Sequence, residues 1–305
     1  MKKFKRTVKH FWPMYLMFLP GVIYLFINSY IPMFGIQIAF RKYNARDGVY
    51  GSPWCGLKNF EFLTKTKDAW IMIRNTVLYN LVFIILGTVL AVATAIILNE
   101  IRSKFAKQAY QTIILIPFLI SMVIVSYLAY AFLSTSDGFI NNTLVKLFGI
   151  DKIDWYNTPK YWPFILVIIN VWKGLGYNMI LYYATICGID STLYEAAVVD
   201  GATRWQKVVH VTLPSLRPTI IILTLMALGG IFRSDFGLFY QVPMNSGPLI
   251  NVTQTIDTYV YRGLIQNNNV GMSSAAGLYQ SVVGFVLVSV ANGIVRKIDN
   301  ESSLF

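Results

Sequence analysis

Charge and cysteine are both scarce in this chain. Asp, Glu, Lys and Arg make up 13% of its 305 residues against 55% hydrophobic residues, and there are two cysteines and two histidines. Such low charge, with a mean hydropathy of +0.54, excludes an ordinary soluble domain. Cys55 and Cys187 form neither a CxxC metal pair nor a disulfide framework. With only His10 and His210 there is no HExxH zinc site, and a nucleophilic triad has a poor choice of base. The GxxxxGK phosphate loop is missing, so the chain is not an ATP-hydrolysing subunit by that route. Paired carboxylates suited to glycoside cleavage are missing too, Asp151 and Asp154 reading as a solvated loop. The formal net charge is +12, yet the cations are scattered over loops without interleaved aromatics. Membrane lipid, and no nucleic acid, is therefore the expected partner for them.

What is abundant is long apolar sequence. Six windows can each hold a membrane-crossing helix of roughly 20 residues, which predicts spans at 13–38, 75–98, 109–133, 161–186, 214–235 and 273–295 of one all-α membrane domain, 1–305. Helices are the expected form, because backbone polar groups in lipid must satisfy one another. Lys2, Lys3, Lys5, Arg6 and Lys9 precede the first window, which is too long for a signal-peptide core and lacks a small-residue cleavage site. They place the N-terminus in the cytoplasm, and six spans return the C-terminus, with Arg296 and Lys297, to the same side. The whole-chain Lys/Arg balance is nearly even, so the orientation leans on the first span. The outer loop from Arg41 to Arg74 is notably cationic and is expected to touch a partner.

One charged stretch, 190–214, interrupts the apolar pattern between the fourth and fifth spans. Thr192 with Glu195 matches a capping box, Gly201 permits a bend, and Val198, Trp205, Val208 and Val209 recur at helical spacing. Pro214 and Pro218 suit the first turn of the fifth span. Physical pattern alone leaves two readings open, an interfacial helix resting on the inner leaflet or a docking element for a soluble partner.

The letters add a resemblance. Glu195-Ala196-Ala197, three residues, Gly201, nine residues, then Val211-x-Leu213-Pro214 is similar to the EAA motif of the membrane subunits of bacterial ATP-binding-cassette importers, with Val211 in place of Ile. The segments FLPG (18–21), YIP (30–32), AFRKYN (39–44), GSPWCGLKNF (51–60), NVWKGLG (170–176), GIDSTLYEAAVVD (188–200) and IDTYVYR (256–262) resemble the polysaccharide and oligosaccharide (LplB-like) permease branch along nearly the whole chain. That resemblance implies the type I importer permease fold, with six transmembrane helices and a coupling helix between the fourth and fifth. It implies a second related permease, two ATP-binding subunits that hold ATP and Mg, an extracellular sugar-binding lipoprotein, and a carbohydrate substrate. It also implies a bacterial cell membrane. No cofactor or metal is expected in this chain. Glu195, Ala196, Ala197, Asp200 and Gly201 would sit in a cleft of the ATPase, while Leu213 and Pro214 fix the exit into the fifth span. Small side chains permit close approach there, and the carboxylates suit basic groups of a partner.

Residues for a substrate pathway come from the polar interruptions. Lys173 is an ammonium in mid-span, where a charge is costly and faces a protein interior or a water cavity. The alternative is that it pairs with a buried carboxylate or with helix-end carbonyls and fixes packing. Asn170, Trp172 and Tyr177 surround it in sequence with groups that suit sugar hydroxyls and ring faces. Phe232, Arg233 and Asp235 form a second cluster at the outer end of the fifth predicted span; Arg233 and Asp235, two apart, do not face each other on a helix and require other partners or a helix break. In the last span Gln280 is the expected sugar contact. A different class, an integral membrane enzyme such as a lipid-linked sugar transferase, would need metal- or phosphate-binding neighbours around Asp190, Glu195 or Asp200, and the sequence supplies none.

Overall fold

In a computed structural model, residues 2–149, 151–266 and 268–298 are described, without the side chains of 2–10, 64 and 298. The described residues are almost wholly helical, with a single isolated bridge between Arg41 and Trp54 and no strand among them. The principal helices are α1 (Lys2–Leu25), α2 (Lys67–Glu100), α3 (Lys104–Leu119), α4 (Met122–Leu133), α5 (Phe139–Phe148), α6 (Trp162–Cys187), α7 (Ser191–Val199), α8 (Arg204–Lys207), α9 (Leu213–Gly229), α10 (Ile256–Ile265) and α11 (Val270–Ile298). Among the described residues five stretches are long and apolar enough to cross a membrane: Phe11–Phe40, Lys67–Glu100, Pro159–Cys187, Arg204–Gly229 and Val270–Lys297. A sixth exists if α3 and α4 count as one span, and they meet at a bend of 95°.

That bend corrects the expectation of one continuous helix over 109–133. Pro117 lies inside the last turn of α3 and lacks an amide hydrogen, and the Ser121 hydroxyl accepts from the Ile124 amide to start α4. The fifth span is corrected at both ends. Its helix stops at Gly229, short of 235, and it reaches back through a π turn, Val208–Thr212, to Arg204. Pro214 lies in the first turn of α9, and that turn is continuous with the helix before it. It follows the π turn, whose wider spacing suits the amide missing at Pro214, and Ser215 Oγ donates to the Val211 carbonyl at 2.7 Å.

The chain divides into two compact units, Met1–Lys65 with Val260–Tyr279, and Thr66–Tyr259 with Gln280–Phe305. In the first unit the loop after Phe40 is knitted by its own polar groups: Arg41 Nη1 donates to the carbonyls of Tyr50 and Ser52 at 2.7 and 2.8 Å, and Asn59 Nδ2 donates to those of Ala39 and Arg41 at 3.0 and 2.9 Å. Phe40 stacks on Trp54 with centroids 5.5 Å apart.

The second unit is organised around α2 against α6. One cluster joins Tyr79, Val125, Ala129, Trp162, Leu166, Leu238, Phe239, Val242 and Leu249; another joins Ala91, Val92, Ala95, Leu98, Met179, Tyr182, Ile186 and Leu216. In lipid, burial of apolar surface gives little drive, so close contact between small residues carries more of the association. Gly176 shows this: a Cβ built there would lie 2.3 Å from the Ile114 carbonyl oxygen and 2.7 Å from Leu115 Cα. The α3 backbone can approach α6 because that side chain is absent.

Candidate functional site

The 190–214 segment folds as two short helices hinged at Gly201, whose φ of +75° is a left-handed conformation open to glycine. The capping box expected at Thr192 and Glu195 does not form. Asp190 is the cap instead, accepting from the Thr192 amide at 2.9 Å, and that amide, with the Thr192 hydroxyl, holds the carboxyl below the usual carboxylate range. The capping box lies one helix later, where Thr203 and Gln206 bond reciprocally at the start of α8. Glu195, Ala196, Asp200 and Gly201 are exposed and Ala197 is half-buried. Ala197, Asp200, Gly201, Gln206 and His210 border a cleft of about 290 Å³.

The apolar stripe splits. Val208 is buried, whereas Trp205 is 73% exposed, so the two do not share one environment. With Val199, 87% exposed, Trp205 leaves an apolar surface on the hinged pair. Tyr194 and Thr212 share a hydroxyl hydrogen bond of 2.9 Å, tying α7 to the π turn. Leu213 is half-buried against the cluster around Leu98 and Leu216, and Pro214 is exposed.

Of the pathway candidates, Asn170 and Tyr177 line one cavity of about 340 Å³, with Phe83, Gly87, Thr88, Asn178 and Met226 among its other walls. Their spacing of seven puts them on one face of α6, whereas Trp172 is on another and is exposed. Lys173 is spent on the α3–α4 break: its ammonium donates to the carbonyls of Phe118, at 3.0 Å, of Pro117, at 3.4 Å, and of Ile120. The reading in which it contacts sugar loses ground to the one in which it closes helix-end carbonyls. Phe118 also stacks on Tyr177 at 4.8 Å, so the same turn supports one wall of the cavity.

After Gly229 the chain is unwound through 230–235. Phe232 is buried, and Arg233 and Asp235 are exposed and unpaired with each other, in keeping with a helix break. Asp235 Oδ1 accepts from the Leu238 amide at 3.1 Å. Gln280 is only 8% exposed, and it donates inward to the Phe232 carbonyl at 2.7 Å and to Asp257 at 3.3 Å. It therefore holds backbone and is not a free sugar contact. Sequence reasoning missed its companions. Asn80 Nδ2 donates to the Ile231 and Arg233 carbonyls, both at 2.8 Å, and Asp257 Oδ2 accepts from the Ser234 amide at 2.6 Å and hydroxyl at 2.8 Å. An amide inside a charge-free span, as Asn80 is, was the available signal.

Comparison with known proteins matches residues 83–300 to the model of the family described as binding-protein-dependent transport system inner membrane component. Protein LplB of Bacillus subtilis (strain 168) is 33% identical over 288 residues, covering 94% of this chain and 90% of that protein. The crystal structure of a bacterial ABC transporter involved in the import of the acidic polysaccharide alginate aligns with a TM-score of 0.88 and 34% identity, over 97% of this chain and 99% of that one. A second crystal structure, of the bacterial alginate ABC transporter in complex with an alginate pentasaccharide-bound periplasmic protein, aligns at 0.86 and 34%, over 96% and 97%. The membrane-length helices, the hinged segment leading into α9 and the matched family model lead to one assignment: the chain belongs to the inner membrane components of binding-protein-dependent transport systems, a non-enzymatic, multi-pass transport subunit.

Proposed function

We propose that this chain forms half of the translocation pathway of an ATP-driven importer of oligosaccharides or polysaccharide fragments in a bacterial cell membrane, with both termini cytoplasmic. A second related permease completes the pathway, and a sugar-binding lipoprotein delivers the substrate from outside. Two ATP-binding subunits hold ATP and Mg. Their closure moves the docked segment, and the two permeases exchange outward for inward access to a central cavity.

The observation that carries this reading is the exposed, Gly201-hinged pair α7 and α8, with α8 continuous into the fifth span. A displacement at the docked cleft passes along an unbroken helix into the membrane. Glu195 and Asp200 offer carboxylates to basic groups of the ATPase, Ala196, Ala197 and Gly201 permit close approach, and Leu213 and Pro214 join the π turn to the span. Asn170 and Tyr177 present an amide and a ring to sugar passing through the cavity. Lys173 keeps the α3–α4 break in place behind Tyr177.

The test replaces Glu195 with Arg and Gly201 with Trp in the assembled transporter. Sugar uptake and copurification of the ATPase are expected to fall while the permease still reaches the membrane. Unchanged copurification and uptake would rule out docking at this segment. The enzyme alternative is not favoured, since the family to which the chain belongs is one of transport subunits.

A further inference from the structure

We propose that the unwound stretch after Gly229 is a fixed selectivity lip at the outer end of the cavity, and that it presents Arg233 to the carboxylate of an anionic sugar. This rests on the reading of the cavity bordered by Asn170 and Tyr177 as part of the sugar pathway.

The placement follows from α2. Asn80, Phe83, Ile84 and Gly87 fall at i, i+3, i+4 and i+7, one face of the helix. Phe83, Ile84 and Gly87 line the cavity, and Asn80, one turn further out in the proposed topology, holds the Ile231 and Arg233 carbonyls. Broken helices in membranes persist only where their freed backbone groups find partners. Here the Ile231, Phe232 and Arg233 carbonyls and the Ser234 amide all bond to side chains of three other helices, through Asn80, Gln280 and Asp257. Ser234 Oγ adds bonds to Asp257, at 2.8 Å, and to Thr255, at 2.6 Å. The backbone under Arg233 is thereby fixed on both sides.

The side chain itself stays available. Among the described residues the one ion pair is Lys65 with Glu61, so no described carboxylate neutralises Arg233. Its sequence neighbour Asp235 is engaged by the Leu238 amide. Lys173, the other cation that the pathway could have used, is turned to the carbonyls at the α3–α4 break. An exposed guanidinium on an immobilised backbone can meet a carboxylate with two parallel hydrogen bonds at little ordering cost, and it has nothing comparable to offer a neutral sugar. Arg233 is the selecting residue in this scheme, and Asn80 and Asp257 are positioning residues.

The experiment measures binding of trigalacturonate and of neutral maltotriose to the assembled transporter in phosphatidylcholine nanodiscs without ATP, by isothermal titration. Trigalacturonate is expected to bind about tenfold more tightly, the range of one charge-assisted hydrogen-bonded pair, with the advantage lost in Arg233→Gln. Asp257→Ala should remove most of the advantage with Arg233 intact, and Asp257→Asn should keep the larger part because its carbonyl still accepts from Ser234. Equal affinities, no binding of either sugar, or an advantage that survives Arg233→Gln overturns the assignment; equal affinities are also what results if Arg233 pairs with lipid phosphate. An advantage untouched by Asp257→Ala overturns the positioning role alone. Because no ATP is present, the result does not depend on the coupling segment, whose failure shows instead as lost copurification of the ATPase.

Discussion

At the scale of single residues, polar groups in apolar surroundings were easy to find and hard to interpret. Lys173 stands out in any reading of the sequence, but its partners are backbone carbonyls 53 to 56 positions away, at a bend that periodicity did not reveal. Its replacement by Met is expected to leave those carbonyls without their donor. Each unsatisfied buried group costs on the order of 1–3 kcal/mol, so Lys173→Met should lower the thermal unfolding midpoint of the purified protein, and Lys173→Arg should recover part of the loss. A midpoint equal to wild type would return Lys173 to the pathway. Asp190 illustrates a milder error: the Thr192–Glu195 spacing was correct for a capping box, and a better acceptor stood two residues earlier. Its carboxyl is lowered by the Thr192 amide and hydroxyl. A lowered group stabilises the fold above its unfolded value, and the contribution disappears as pH falls through its folded value. The start of α7 should therefore be unchanged between neutral pH and about pH 5, and should loosen only in more acidic solution. A carbon-detected NMR titration of Asp190 checks both the position and the sign.

Elements were legible to the extent that their signals are local. Long apolar windows lie within the helical stretches Lys67–Glu100, Pro159–Cys187 and Val270–Lys297, because length and hydropathy are local properties. The 95° break between α3 and α4 was missed since its determinants, Pro117 and Ser121, are ordinary residues whose meaning depends on Lys173 reaching across from α6. Pro214 shows the converse: its place in the first turn of α9 was legible, and the π turn before it was not. A proline before a long apolar run suggests a helix start, whereas a π turn lets the helix continue through it. Gly176 belongs to this scale as well. Its meaning lies in a neighbour far off in sequence, the backbone of Ile114 and Leu115. Gly176→Ala must push α3 away from α6, at a cost of at least about 1–3 kcal/mol for overpacking, and Gly176→Leu should prevent assembly. Gly277, with open space around its Cβ position, is the control: Gly277→Ala should be tolerated. The comparison reads as detergent-resistant monodisperse protein in size-exclusion chromatography, and equal behaviour of Gly176→Ala and Gly277→Ala would refute the contact.

For the whole molecule, the topology depends on one element, the bent pair α3–α4. If the pair crosses the membrane, the chain has six crossings, and residues after the first and fourth spans lie on opposite sides. If the pair enters and leaves on one side, the chain has five crossings, and those two positions share a side. The Lys/Arg balance could not separate these cases, because cations are spread almost evenly over the proposed inner and outer loops. Two exposed positions can. Leu57 follows the first span and Val199 follows the fourth, and both side chains are open to reagent. In a background lacking Cys55 and Cys187, a membrane-impermeant maleimide applied to intact cells should label Leu57→Cys and leave Val199→Cys untouched until the cells are permeabilised. That outcome fits a coupling segment that can reach an ATPase in the cytoplasm, with six crossings and both termini inside. Labelling of both positions in intact cells would make α3–α4 a re-entrant pair and put Glu195 on the wrong side for its partner. Labelling of Val199→Cys alone would invert the molecule, and the lip at Arg233 would then face the cytoplasm, where it could not select sugars on entry.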